Sequence, residues 1–511
     1  MIPAESGQSL PMLVVLAGDD DLRAHLSRLS ALLAETVSRD FGERAVVFSP
    51  PGGTPAEIAA AARAEAGAEA LGCLVVDLSR LDRAVASEAT QRIGEAEMAG
   101  LAGRLVHVTR HKRSPVAPPG FSMLRVDLGV ARERAGGGRR APAGVVGSVQ
   151  TAKRFASMGY DRLGGQAIEP SGEPYPEARV SPEWCRLHLD PDALEGGRDL
   201  SPAARASVSR WARAVTHRRV AVALGGSGSW GYAHVALMQR LEEHGVPIDL
   251  VAGSSSGSLM GAYYAVLGAR GLEQVVERGS WFSRMLWMAT ISSAAIDVAV
   301  DLDLGSPQLD ELDVIFLPVA ANLSRARPEM ITGSTVGAGV RASSSAPGLF
   351  GATLTRSGVY VDGAIADNVP VVLLERMGAD LLVACNPLPP PPPVTDDNPS
   401  TRLGDFLGEI NPFTRLQHLG TAFEVMFHRF GRSEPGERRI SYDPPPHAFP
   451  LLQTFRFDRA REILAMVKGE PEFQATVRRV VSAWKALSAP RARPVTPARR
   501  ASETSDSSSS G

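Results

Sequence analysis

The stretch Val220–Gly257 constrains the fold of this 511-residue chain most strongly, because it alternates apolar runs with glycine-rich turns. The run Val220–Leu224 is typical of a buried strand, and the glycines of Gly225–Gly231 permit a tight turn after it. Apolar residues at helical spacing then lead to Gly245, and Ile248–Ala252 predicts a second strand. The order strand, turn, helix, strand is typical of a parallel α/β sheet.

A second turn follows the second predicted strand. Gly253–Gly257 reads G-S-S-S-G, which fits G-x-S-x-G, and Leu259–Leu267 behind it predicts a helix. A serine on a sharp turn from strand to helix exposes its hydroxyl at the carboxyl end of a sheet. Ser255 is therefore a candidate nucleophile. A serine hydroxyl reacts weakly until a neighbouring base takes its proton, so the activating residue must come from elsewhere in the chain.

The first turn supports two hypotheses. Gly226–Gly231 fits the dinucleotide-binding pattern G-x-G-x-x-G. A dinucleotide-binding site requires an acidic residue at the C-terminal end of the next strand. In this chain Asp249 lies at the start of that strand, and Gly253–Gly257 follows its end. Alternatively, backbone N–H groups at the helix N-terminus point at an anion and form an oxyanion hole. The position of Asp249 favours the oxyanion hole.

Asp362 is a candidate carboxylate much later in the chain. It follows the strand-like Gly358–Val361 and precedes Gly363 and Ala364. Catalytic carboxylates of open α/β sheets are found at such strand ends. From spacing alone, an ordinary turn aspartate remains the favoured interpretation.

Four of these features, taken in order, make the chain similar to a known family. They are Gly226–Gly231, His234, Gly253–Gly257 and Asp362–Ala364. In this arrangement the chain resembles the patatin-like phospholipases, and the lead-in Trp211–Arg219 resembles most the neuropathy-target-esterase branch. The resemblance covers roughly residues 210–388 and extends more loosely to about residue 487.

The resemblance implies an α/β fold, a three-layer sandwich around a central, mostly parallel sheet. It implies a catalytic dyad in which Ser255 is the nucleophile and Asp362 the base, with no histidine between them. Because a carboxylate is a poor base in water, Asp362 needs partial desolvation and a raised pKa. The resemblance implies an oxyanion hole formed by Gly226, Ser227 and Gly228. The remaining motif positions are Gly231, Gly253, Gly257, Gly363 and Ala364.

Two residues depart from the family pattern. Ser227 stands where a further glycine is usual, and Trp230 stands where a basic residue is usual. Two alternatives therefore stay open: a catalytically weak or inactive lipid-binding or regulatory homologue, and a nucleotide-binding protein that uses Gly226–Gly231. A third alternative concerns the catalytic residues only. A conventional catalytic triad would use a histidine later in the chain, and the candidates are His418, His428 and His447.

Composition excludes several classes of function. The net charge of −2 gives no electrostatic case for nucleic acid. The three cysteines lie far apart, which fits a reducing compartment and indicates neither disulfides nor a zinc site. Neither a secretory signal nor an apolar run of membrane-spanning length is visible. We therefore expect a cytoplasmic protein, at most peripherally membrane-associated, with lipid as substrate, no metal, no cofactor, and no protein partner that the sequence identifies.

The length is too great for one hydrophobic core, so we expect several domains. They are an N-terminal α/β domain (1–130), a loop-rich connector (131–210), the patatin-like domain (211–488) and a disordered tail (489–511). In the first domain the predicted strands are Met12–Leu16, Ala45–Phe48, Cys73–Asp77, Leu105–Thr109 and Met123–Val126. The predicted helices between them are Leu22–Arg39, Pro55–Ala66 and Glu88–Ala102.

The segment Trp281–Met288 is unusually rich in aromatic residues and methionine. Its apolar residues exceed the single buried stripe of a surface helix. They predict contact with an acyl chain or a membrane interface, or burial in the protein core, and the sequence does not separate these alternatives.

Overall fold

The computed structural model describes residues 12–18, 20–66, 71–97, 103–109, 121–130, 171–174, 183–194, 200–355, 358–388, 438–444 and 456–490. The predicted tail from residue 491 onward lies outside these residues. So do His418, His428 and His447.

The first part of the chain forms a six-stranded parallel sheet covered by helices. Its strands are β1 (Met12–Gly18), β2 (Ala45–Phe48), β3 (Cys73–Asp77), β4 (Gly103–Thr109), β5 (Phe121–Val130) and a strand described below. The helices α1 (Leu26–Phe41), α2 (Pro55–Ala66) and α3 (Arg83–Glu97) join successive strands. The strand centres are continuous apolar runs, as in β1, because both faces of the sheet are buried. The α/β fold predicted for this region is confirmed.

The predicted connector contributes to this sheet. Within the connector, β6 (Ser171–Pro174) is a short strand. The next strand, β7 (Glu183–Leu189), pairs in parallel with β5 and is the sixth strand of the first sheet. After α4 (Pro191–Leu194), helix α5 (Pro202–Val215) packs on the same core through Val208 and Trp211. The expectation of a loop-rich segment over 131–210 therefore needs correction for its described C-terminal part. Apolar side chains spaced along β7 and α5 complete the core of the first sheet.

The second sheet has nine strands in mixed orientation. Its remaining strands are β8 (Val220–Leu224), β9 (Leu250–Ser254), β10 (Ile315–Asn322), β11 (Arg327–Thr332), β12 (Thr353–Thr355), β13 (Gly358–Asp362), β14 (Leu381–Cys385) and β15 (Arg439–Tyr442). The order is β12-β13-β10-β9-β8-β14-β15, with β11 on β10 and β6 on β11. The five strands from β10 to β15 through β9, β8 and β14 are mutually parallel, while β6, β11, β12 and β13 pair antiparallel.

Helices cover both faces of the second sheet, which makes the predicted three layers. They are α6 (Tyr232–Glu243), α7 (Ser256–Leu267), α8 (Ala269–Glu277), α9 (Gly279–Ala289), α10 (Ala294–Leu304), α11 (Val336–Ser343), α12 (Val371–Arg376), α13 (Ala460–Gly469) and α14 (Pro471–Ser488). Alternate residues of β8 face opposite layers: Val222 joins the larger core and Ala223 the smaller one beside α12. Of the helices in the described part of the chain, none combines the length and apolar character needed to cross a bilayer.

The aromatic segment on α9 divides between core and surface. Phe282, Met285 and Leu286 are buried in the larger core. Trp287 is 64% exposed, and Ile291, just past the end of α9, is 74% exposed. The burial pattern therefore assigns Phe282, Met285 and Leu286 to the core and leaves Trp287 at the surface.

Candidate active site

Ser255 occupies a strained turn between β9 and α7. Its φ is +52° and its ψ −123°, a combination that residues with a Cβ rarely adopt. The glycines around it permit the close approach of strand and helix. A Cβ on Gly257 would lie 2.2 Å from the carbonyl oxygen of Leu224, and one on Gly253 would lie 2.6 Å from the carbonyl carbon of Gly257. Local sequence therefore dictates a tight turn that presents Ser255.

Strand register brings Asp362 to the same place. On β10, Val319 pairs with Ser254 of β9, and the next residue, Ala320, pairs with Asp362 of β13. Because β13 runs antiparallel to β10 and overlaps it only at its end, the last residue of β13 lies level with the end of β9. Thus Asp362 and the serine turn lie on opposite sides of the same short piece of β10.

The carboxylate of Asp362 is buried and accepts two hydrogen bonds. Its side chain is 1% exposed. The hydroxyl of Ser255 and the backbone N–H of Ala364, at 2.9 Å, both donate to it. Burial raises the pKa of Asp362 from 3.8 to about 6, although the two hydrogen bonds oppose that rise. A carboxylate with this pKa and this partner can accept the proton of the serine hydroxyl near neutral pH.

The glycine-rich turn lies directly against these two residues. A Cβ on Gly226 would be 2.9 Å from the Cβ of Ser255 and 3.0 Å from the Cβ of Ala364, so only glycine fits there. The turn continues into a 3-10 helix over Gly228–Gly231. Gly228 has a φ of +57°, a conformation that favours glycine.

The three predicted oxyanion donors are not equivalent. The N–H of Gly226 donates to Oδ1 of Asn368 at 2.7 Å, and the N–H of Ser227 donates to Oγ of Ser256 at 2.9 Å. The N–H of Gly228 has no acceptor among the described residues, as is usual at the start of a helix. Without a ligand, the N–H groups of Gly226 and Ser227 thus donate to protein oxygens, whereas that of Gly228 does not, and the oxyanion role of all three residues stays a prediction.

His234 forms a hydrogen bond with the start of the glycine-rich turn. It is fully buried, and its Nε2 lies 2.7 Å from the carbonyl oxygen of Gly225. Burial lowers the pKa of His234 to about 4, so the ring is neutral at pH 7 and Nε2–H donates to that carbonyl. The contact gives His234 a hydrogen-bonding role at the glycine-rich turn.

Sequence reasoning missed a row of three serines that joins the two candidate residues. The N–H of Ser255 donates to the carbonyl oxygen and to Oγ of Ser343, each at 3.1 Å. Oγ of Ser344 donates to the carbonyl oxygen of Ser255 at 3.2 Å, and the N–H of Asp362 donates to the carbonyl oxygen of Ser345 at 3.0 Å. The only signal of this row in the sequence is the run of three consecutive serines, Ser343–Ser345.

The features behind the alternative hypotheses lie elsewhere. Asp249 forms an ion pair with Arg213, whose Nη2 lies 2.7 Å from Oδ1, and it accepts the N–H of Val220 at 3.1 Å. Asp249 therefore connects the first residues of β8 and β9, which lie at the end of these strands opposite to the glycine-rich turn. Trp230 is 7% exposed and belongs to the larger core. Within the described residues, no three His, Cys, Asp or Glu side chains are grouped as metal ligands.

Comparison with known proteins agrees with this architecture. Residues 222–374 match the family described as patatin-like phospholipase. Lysophospholipase NTE1 of Coccidioides immitis is 28% identical over 282 residues, which are 50% of this chain and 18% of that protein. Lysophospholipase nte1 of Aspergillus fumigatus is 30% identical over 234 residues, 42% of this chain and 15% of that protein. The chain thus spans less than a fifth of the length of these curated relatives.

Among solved structures, VipD from Legionella pneumophila covers 49% of this chain and 67% of its own, with 15% identity and a TM-score of 0.24, too low to bear on the fold. The family match includes the glycine-rich turn, the serine turn and Asp362, and both relatives are named lysophospholipase. Residues 222–374 therefore match the patatin-like phospholipase family, and the chain resembles its neuropathy-target-esterase branch.

Proposed function

We propose that this chain hydrolyses acyl esters of lipids through Ser255 and Asp362. The observation that carries the proposal is the hydrogen bond from the Ser255 hydroxyl to the buried carboxylate of Asp362, whose pKa burial raises to about 6. A serine on a strained turn beside a base within hydrogen-bond reach is the arrangement that nucleophilic catalysis requires. Both residues lie within the matched family region.

Acylation proceeds in two proton-balanced steps. Oγ of Ser255 attacks the acyl carbon while its proton passes to the carboxylate of Asp362, and the carbonyl oxygen becomes an oxyanion. The N–H of Gly228 donates to that oxyanion, which stabilises the tetrahedral intermediate. The bond from carbon to the leaving oxygen then breaks, and Asp362 returns the proton to that oxygen. Deacylation repeats the sequence with water as the nucleophile.

The substrate class follows from the named relatives. The curated relatives are called lysophospholipases, so we propose a phospholipid or lysophospholipid as substrate of this chain. Contact with a membrane surface is part of the same proposal, because such lipids reside in bilayers or micelles. The exposed Trp287 and Ile291 suit that contact.

A fluorophosphonate probe, which reacts covalently with activated serines, tests the proposal. Wild type, Ser255→Ala and Asp362→Asn are compared for labelling and for hydrolysis of a nitrophenyl ester and of lysophosphatidylcholine. We expect labelling and turnover in wild type, loss of both in Ser255→Ala, and strong reduction in Asp362→Asn. A wild type that neither labels nor hydrolyses any ester overturns the proposal and favours a lipid-binding homologue. Full activity in Asp362→Asn places the base elsewhere.

A further inference from the structure

Ser256 follows the proposed nucleophile and begins α7, yet its side chain faces the glycine-rich turn. The residue is 6% exposed. Its Oγ accepts the N–H of Ser227 at 2.9 Å and lies 3.2 Å from Oγ of Ser227. One hydroxyl thus meets both the backbone and the side chain of the residue that replaces the family's usual glycine.

The same side chain touches the far end of the turn. A Cβ on Gly231 would lie 3.1 Å from Oγ and 3.2 Å from Cβ of Ser256. The turn therefore wraps around Ser256, with a hydrogen bond at Ser227 and close packing at Gly231. Gly228 lies between these two contacts, so its orientation depends on both.

We propose that Ser256 is a positioning residue that fixes the turn so that the N–H of Gly228 is presented to the oxyanion. This inference rests on the proposed ester hydrolysis. Oxyanion donors are effective only when they are oriented before charge develops. By accepting the Ser227 N–H, Ser256 satisfies a buried donor and prevents the turn from rotating about its flexible glycines. Its own O–H remains available to donate to Oγ of Ser227.

The chain offers a matched control for this residue. Ser258 lies two residues further along α7, is fully buried, and its Oγ has no hydrogen-bond partner among the described residues. Ser258→Ala removes a buried hydroxyl from the same helix without removing a contact to the turn. Any effect that Ser256→Ala shows beyond Ser258→Ala therefore reports the contact with Ser227.

The experiment compares wild type, Ser256→Ala and Ser258→Ala by kcat and KM for a nitrophenyl ester. It also measures inhibition by a trifluoromethyl ketone, which forms a tetrahedral adduct bearing an oxyanion, and by an ether analogue that cannot react. We expect Ser256→Ala to lower kcat by about 10- to 100-fold, less than the loss of a whole oxyanion donor. Its KM should stay within about threefold, as for interactions made only in the transition state. Trifluoromethyl ketone inhibition should weaken in parallel with kcat, whereas inhibition by the ether analogue should not change.

Two further outcomes decide between the proposals. If wild type is active and Ser256→Ala matches Ser258→Ala in kcat and in ketone inhibition, the positioning role is wrong and ester hydrolysis stands. If wild type neither hydrolyses esters nor binds the ketone covalently, both proposals fail together. Hydrogen exchange of the peptide containing residues 226–231 gives a readout independent of activity. It should become faster in Ser256→Ala and stay unchanged in Ser258→Ala, and unchanged exchange in both contradicts the inference.

Discussion

The hydroxyl of Ser255 donates a hydrogen bond to the carboxylate of Asp362 across one strand of the second sheet. The contact exists because consecutive residues of β10, Val319 and Ala320, pair with Ser254 and Asp362. A Cβ on Gly363 would lie 2.1 Å from the carbonyl oxygen of Val319, so the chain can turn away after Asp362 only with glycine there. The pair is therefore held by sheet register and is independent of flexible loops.

Activity should depend on the ionisation of Asp362. Since burial raises its pKa to about 6, the proposed base should be protonated and inactive below that pH. We expect kcat/KM for a nitrophenyl ester to fall about tenfold per pH unit below pH 6 and to level off above it. The measurement is a pH profile from 4.5 to 8.5. A profile flat through pH 6 would rule out Asp362 as a base with this pKa.

The contribution of Asp362 to the free energy of unfolding should fall as the pH rises, whereas the activity should rise. A carboxyl whose pKa is raised on folding stabilises the folded state below its unfolded pKa, here near 3.8, and this contribution is lost as the pH rises through about 6. At pH 8, Asp362→Asn should therefore increase the free energy of unfolding, by up to about 3 kcal/mol for such a shift. At pH 4 or below the gain should nearly vanish. Denaturant unfolding of both proteins at the two pH values checks this, and a gain independent of pH would contradict the assignment.

The strained backbone of Ser255 should be visible in stability. Ser255→Gly removes the steric cost of a positive φ, whereas Ser255→Ala keeps it. We expect the glycine variant to be the more stable of the two by about 1 kcal/mol, with both inactive. Thermal unfolding of the two variants makes the comparison. An alanine variant as stable as the glycine variant would indicate that the turn relaxes.

His234 should act as a hydrogen-bond donor and not as a base. Gln places an N–H near the position of Nε2, so His234→Gln should keep the bond to the Gly225 carbonyl, while His234→Ala should lose about 2 kcal/mol or more of stability. We expect the glutamine variant to retain most of the activity with an unchanged pH profile. If the glutamine variant kept its stability but lost the rise of activity through pH 6, proton transfer through His234 would be indicated instead.

The G-x-S-x-G glycines should tolerate no side chain. The Cβ of Gly257→Ala would overlap the carbonyl oxygen of Leu224, so this variant should be destabilised by about 3 kcal/mol or more. Gly469→Ala is the control, because nothing lies within 4 Å of its Cβ and it is in α13. That variant should be neutral or slightly stabilised. Equal unfolding midpoints for the two variants would show that the turn can move apart.

The sequence alone determined the features that depend on local pattern. Strands β2 and β3 and helix α2 begin and end where they were predicted, because short apolar runs and an alanine-rich helical run are bounded by breakers. The serine turn was also predicted from its glycines. These properties depend on neighbouring residues, so no distant contact was needed to predict them.

The tertiary structure decided what depends on distant partners. It added β7 to the first sheet and α5 to its core, since pairing and core contacts fix the place of an element and the local sequence does not encode them. It raised the pKa of Asp362, the proposed base, because desolvation is a property of the assembled core. It also assigned the N–H groups of Gly226 and Ser227 to Asn368 and Ser256, because a turn's glycines permit many orientations and only the packed side chains select one.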